Sequence, residues 1–159
     1  MHRTALFSPC RTFRYRLGRR WSDGSALAFV QLNPSTANET ADDQTVRRCI
    51  HFAQRDGYGG LEGVNLYAYV STDPEDLRRA GYPVGPGNDL HIAAAARECD
   101  RVVLAWGART QCRRRAEEVL ELLHGLGVVA PHCFRVTRRP PGASAQTAGE
   151  LRAAVVPGD

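Results

Sequence analysis

The sequence contains no lysine; all 21 of its basic residues are arginine. With 17 acidic residues the formal charge is +4 and the isoelectric point about 9.0. An arginine-only surface suits phosphate, because the guanidinium donates as a planar fork. It also suits a genome that writes arginine for lysine everywhere, and so small a charge does not choose between the two. No apolar run approaches the roughly 20 residues that a membrane-spanning helix needs, and Met1–Phe7 lacks the apolar stretch of a signal peptide. The expected location is the cytoplasm, with no membrane partner. The five cysteines are odd in number and none are spaced C-x-x-C, which argues against a disulfide framework and a zinc site. Small buried thiols are the simpler reading. The five histidines show no ligand spacing. No Walker loop, no G-x-G-x-x-G after a strand and no G-x-S-x-G elbow is present. Nothing calls for a metal or a cofactor.

At 159 residues, 43% hydrophobic and 24% charged, the chain can bury a core. One α/β domain is expected over residues 1–143, followed by a weakly ordered tail over 144–159. Residues 11–21 begin as a strand, with Phe13, Tyr15 and Leu17 alternating against Thr12, Arg14 and Arg16. Ser22-Asp23-Gly24-Ser25 suits a hairpin turn. Ala26–Leu32 reads as a strand buried on both faces, which Pro34 should end near Asn33. Asp42 and Asp43 suit a helix N-terminus, with Val46, Cys49, Ile50 and Ala53 forming its inner stripe. Residues 61–70 read as the next strand. Thr72-Asp73-Pro74-Glu75 opens a short helix, and Asn88 caps another that runs to Cys99. Residues 101–106 form a strand, 111–126 a helix and 133–136 a last strand.

After the first hairpin this order alternates strand and helix, which predicts a three-layer sandwich around a mostly parallel sheet. Ligands in such sheets bind beyond the carboxyl ends of the strands. The loop from Asn33 through Pro34, Ser35 and Thr36 to Asp42 and Asp43 is dense in short hydrogen-bonding side chains and enters a helix. The same residues would also serve simply to turn and cap the chain. Asn65, Tyr67 and Tyr69 fall at period two. An amide there would read the edge of a flat heterocycle while a tyrosine stacks on it; a core Asn bonded to backbone is the simpler alternative. Trp106-Gly107 offers a flat wall and a close backbone approach, or a Trp that only fills the core. Arg113-Arg114-Arg115 reads as a solvated basic face or as a phosphate contact.

Several stretches taken together carry a resemblance. They are Leu32-Asn33-Pro34-Ser35-Thr36-Ala37, Asp42 through Cys49, Gly57-Tyr58-Gly59-Gly60, Val64 through Tyr69, Pro83 through Asp89 and Val103 through Gly107. Over residues 10–136 the chain resembles the domain-of-unknown-function 1643 family of bacteria and phages, which brings no established activity. More distantly it resembles the uracil-DNA glycosylase superfamily, whose members place an Asn-Pro or Asp-Pro pair after the first parallel strand and a base-reading Asn on the next. That resemblance implies a uracil-DNA-glycosylase-like fold. It makes Asn33 the residue that orients water and Asn65 the one that holds the base, with Tyr67 or Tyr69 stacking on it. Such chemistry needs a target unstacked from the helix. The chain departs from the superfamily in lacking glycine beside Asn33-Pro34. It also has Arg139-Pro140-Pro141 where a late His-Pro pair would support the departing base.

The expected function is therefore binding of a nucleic-acid base or nucleotide, extending to N-glycosidic cleavage of a modified base in DNA. Asn33, Asp42 and Asp43 would be its catalytic groups. Pro34, Ser35, Thr36, Asn65, Tyr67, Tyr69, Trp106 and Gly107 would line the site, and Arg48, Arg138 and Arg139 would meet phosphate. The alternatives are an enzyme on a free nucleotide or small phosphorylated metabolite, and a non-catalytic module that binds nucleic acid or protein. The sequence does not indicate an oligomeric state.

Overall fold

The computed structural model describes residues 1–107, 110–128, 130–133 and 152–153. The strands are β1 (His2–Phe7), β2 (Arg14–Arg20), β3 (Ala26–Gln31), β4 (Gly60–Asn65), β5 (Arg101–Ala105), β6 (His132–Cys133) and β7 (Arg152–Ala153). The helices are α1 (Gln44–Arg55), α2 (Pro74–Arg79), α3 (Asn88–Glu98) and α4 (Arg113–Gly125), the last entered through a 3-10 turn at Thr110–Cys112. They build one sheet in the order β1-β2-β4-β3-β5-β6-β7.

The sheet is mixed, which corrects the expectation of a mostly parallel one. Strands β4, β3, β5 and β6 are parallel neighbours, but β1–β2, β2–β4 and β6–β7 pair antiparallel. The N-terminal hairpin also differs from the expected one. It joins β1, which alternation did not reveal, to β2, whereas β2 and β3 are separated by β4. The turn at Ser22–Ser25 docks on the start of β4 instead. Trp21 and Ser22 both donate to the Gly59 carbonyl, and Gly59 N–H donates to Ser25. A Cβ on Gly59 would lie 2.6 Å from the Gly24 nitrogen, so only glycine permits this approach.

Side-chain alternation sorts the core into two faces. Leu27, Phe29, Leu61 and Val103 pack with Cys49 and Ala53 of α1. Ala28, Val30, Val64 and Val102 pack with Leu77, Ile92, Ala95, Val119 and Leu123 of the other three helices. The result is three layers. Helix α1 forms as its stripe predicts, with Val46, Cys49 and Ala53 buried and Asp43 as N-cap, accepting from Val46 N–H at 2.8 Å. In α2 the cap is Asp73. Asn88 does not cap α3; Gly87 holds that position with φ of 74°, and Asn88 instead donates to the Asn65 and Leu66 carbonyls.

Two irregularities shape the sheet edge. Strand β4 ends at Asn65 and does not run to Val70. Beyond it Leu66 and Tyr67 still donate to Gln31 and Leu32, but Ala68 turns to Val84. In β2 the register against β1 shifts between Leu6, opposite Arg16, and Phe7, opposite Arg14. Tyr15 is the extra residue. It stacks on His91 of α3, while Arg16 pairs with Glu98 of the same helix. Two consecutive side chains thus take one face, and the bulge turns Arg14 to the other.

Candidate functional site

Strand β3 sits between β4 and β5. The chain crosses from β3 to β4 through α1, and from β4 to β5 through α2 and α3 on the other face. The side on which successive strands are added therefore switches about β3, and the crevice at its carboxyl end is the place such sheets offer to ligands. Gln31, Asn65 and Ala105 are the aligned last residues of β3, β4 and β5. All three alternate onto the α1 face, since Val30, Val64 and Leu104 pack on the opposite one. Because β2 is antiparallel to β4, its first residue, Arg14, comes to the same edge.

Asn65 is 1% exposed, and neither its Oδ1 nor its Nδ2 has a hydrogen-bond partner among the described residues. A buried amide normally satisfies both groups; leaving one unmade costs about 1–3 kcal/mol. Beside it, Gln31 donates through Nε2 to Cys49 Sγ at 3.3 Å. Burial pushes the Cys49 thiol up to about 12, with the Asp43 carboxylate adding to the shift. That sulfur is a packed neutral group and no nucleophile.

Arg14 is 2% exposed. Its Nη1 donates to the Ala37 carbonyl at 2.6 Å, while its Nε is buried and unpaired among the described residues. Burial pulls its guanidinium down to about 10, partly opposed by Asp43, so it remains a cation at neutral pH. Sequence reading missed it. Alternation put Arg14 among the polar residues opposite Phe13 and Leu17, and a bulge leaves no mark in periodicity.

The loop entering α1 has two halves. In the first, Asn33 Nδ2 donates to the carbonyls of Pro34, Tyr69 and Ser71 at 3.1, 3.3 and 3.1 Å, tying the end of β3 to the segment after β4. Pro34 is buried, Ser35 half-buried and Thr36 exposed. In the second, Asn38 Oδ1 accepts from Thr40 and Ala41 N–H, and the carbonyls of Asn38 and Ala41 receive Arg19. Asp42 holds the Arg19 Nε at 2.6 Å, with Arg3 at 3.5 Å. Of the two expected catalytic acids, Asp42 thus neutralises a buried arginine and Asp43 caps α1.

The remaining expected residues do not converge on Asn65. Tyr67, Tyr69 and Trp106 pack with the α2–α4 cluster, because β4 stops at Asn65 and the period-two relation ends with it. Tyr67 is buried against Tyr82, ring centroids 5.4 Å apart; Tyr69 meets Phe13 edge-on. The indole and the Asn65 carboxamide lie on opposite faces of the sheet. Gly107 is exposed, with φ of 79°. Arg48 is exposed on α1. Arg138 and Arg139 lie outside the described residues, as does all of the tail from Ser144 except the Arg152–Ala153 backbone. The basic run divides. Arg113 and Arg114 are exposed and pair with Glu117 and Glu118, while Arg115 is buried, donating to the Leu66 carbonyl at 2.9 Å and pairing with Asp89 at 2.5 Å.

No helix is long and apolar enough to cross a membrane among the described residues. Nor does any group of three or more His, Cys, Asp or Glu there suit a metal ion. A family described as "Protein of unknown function (DUF1643)" matches residues 14–140. No curated protein and no solved structure matches the chain.

Proposed function

The chain belongs to the DUF1643 family, and we propose that it binds a nucleobase, as part of a nucleotide or of a nucleic acid, on the Asn65 carboxamide. The observation that carries this reading is a fully buried amide, at the carboxyl end of a parallel strand, whose two polar atoms have no partner among the described residues. A carboxamide offers one donor and one acceptor side by side in a plane, and the edge of a heterocyclic base presents the complement. Ser35 and Thr36, which make no side-chain hydrogen bond among the described residues, stand in the adjoining loop to meet sugar.

The distant resemblance to uracil-DNA glycosylases extends the reading to a fold of that type and to N-glycosidic cleavage. The parallel centre β4-β3-β5-β6 and the position of Asn33-Pro34 directly after β3 support it. In that reaction water adds at the sugar carbon, the bond to the base breaks, and the base leaves with the electron pair and takes up the proton that water gives up. Asn33 Nδ2 is occupied by carbonyls, so its Oδ1 is the atom left to accept a hydrogen bond from water. Asp42 and Asp43 take no part in this proposal, because Arg19 and the α1 cap use them.

The test is a binding and turnover panel on the purified full chain. Calorimetry with nucleosides, mononucleotides and single- and double-stranded oligonucleotides should give a complex that Asn65→Leu abolishes. Incubation with DNA carrying modified bases should release free base if the chain is a glycosidase. Stabilisation by mononucleotides without DNA binding would indicate an enzyme on free nucleotides. Absence of binding across the panel would refute the proposal.

A further inference from the structure

Two arginines of β2 form an internal comparison. Arg19 is 0% exposed and Arg14 2%, and both reach the loop before α1. Arg19 spends Nε on Asp42, Nη1 on the Thr4 and Gly18 carbonyls, and Nη2 on the Asn38 and Ala41 carbonyls. Its charge and its hydrogen-bonding directions are satisfied inside the fold. Arg14 has one neutral carbonyl on Nη1, an unpaired buried Nε, and no carboxylate within ion-pair distance among the described residues. A buried cation is ordinarily paired. The bulge at Tyr15 brings this one to the edge that Asn65 occupies, at the end of the neighbouring strand.

We propose that Arg14 is the anion-binding residue of the site, and that the ligand seated on Asn65 is a nucleotide, whose phosphate oxygen accepts from Arg14 Nε. This rests on the nucleobase reading of Asn65 and narrows it to phosphorylated ligands. The contact is charge-assisted and shielded from water, the setting in which such a bond is stronger than at the surface. Asp43 acts on Arg14 electrostatically but makes no ion pair with it among the described residues, and its Oδ1 accepts the helix-cap bond, so the Nε remains open. The source of the phosphate, a mononucleotide or a nucleotide within a strand, is for the ligands of the experiment to distinguish.

Calorimetry on the intact protein should compare four ligands: a nucleoside, its 5′-monophosphate, a short single strand ending in that nucleotide, and inorganic phosphate. The expected result is at least about tenfold tighter binding of the monophosphate or the strand than of the nucleoside, equivalent to about 1.4 kcal/mol. Arg14→Gln should erase that ratio; Arg14→Lys, which keeps the cation, should restore part of it. Equal binding of nucleoside and monophosphate by the native chain overturns the role of Arg14 while the nucleobase reading survives. Inorganic phosphate bound as tightly as the monophosphate, with no binding of the nucleoside, supports an anion site and removes the nucleobase reading. No binding of any of the four overturns both. The comparison among ligands uses the unaltered protein, so it can overturn the proposal even if Arg14→Gln does not fold, and Arg14→Lys then carries the assignment to this residue.

Discussion

Arg14 and Arg19 leave β2 on the same side and both are buried, yet among the described residues Arg19 meets a carboxylate, Asp42, at 2.6 Å and Arg14 meets none. Among the described residues the fold completes a cage around one buried cation and not around its neighbour, which is the contrast that the proposed role of Arg14 rests on. The same division runs through the asparagines. Asn38 uses its Oδ1 to close a turn and Asn33 uses its Nδ2 to stitch two segments, whereas Asn65 bonds through neither atom among the described residues.

Asn65→Leu should leave the protein at least as stable as the native chain, since it removes an unpaired amide whose burial costs about 1–3 kcal/mol and conserves volume approximately. Binding should disappear. Urea denaturation alongside calorimetry separates the two effects. A marked loss of stability would show that the amide has a structural partner and would undercut its role in recognition.

Asp42→Ala should be the most destabilising of the acidic substitutions, by about 3–5 kcal/mol, because it strands a buried guanidinium. Asp43→Ala removes an N-cap and should cost about 1 kcal/mol. Asp42→Ala should leave ligand affinity unchanged once folded protein is measured, whereas Asp43→Ala, which removes a negative charge acting on Arg14, should if anything tighten binding of a phosphorylated ligand. Chemical denaturation gives the order, and a larger effect at Asp43 would contradict the assignment.

Asn33→Ala releases the Tyr69 and Ser71 carbonyls and should lower stability by about 1–3 kcal/mol. If Asn33 also holds the attacking water, the folded variant should bind nucleotide normally and lose base release. Retained turnover on a substrate found for the native chain would leave Asn33 only its structural part.

The thiols should separate by pH. Cys10 is exposed, and the hydroxyls of Ser8 and Thr12 hold its pKa down to about 7. Burial pushes Cys49 and Cys99 up to about 12. Alkylation of the folded protein should label Cys10 alone, with a rate that climbs as pH rises through about 7 and then levels. Ser8→Ala should move that midpoint upward. Mass spectrometry across pH 5–9 reads both, and early labelling of Cys49 would be incompatible with its packing.

Local patterns were legible where the physics is local. The inner stripe of α1, its Asp43 cap and the Asp73-Pro74 start of α2 follow from periodicity and from unsatisfied helix-end amides. So does the arrest of β3 before Pro34. The polar loop at the end of a buried strand was visible for the same reason, and the family resemblance rested on those motifs.

Pairing and facing were not legible. That β2 joins β1 and β4 and not β3, and that antiparallel edges flank a parallel centre, depends on contacts between segments distant in sequence. Alternation within one segment carries no record of its partner. A single extra residue at Tyr15 turned Arg14 to the α1 face, and the early end of β4 parted Asn65 from Tyr67 and Tyr69. The sequence alone determined which residues had the chemistry to recognise a ligand. Only the folded sheet decided which of them were left without partners, because satisfaction of a buried polar group depends on every atom around it.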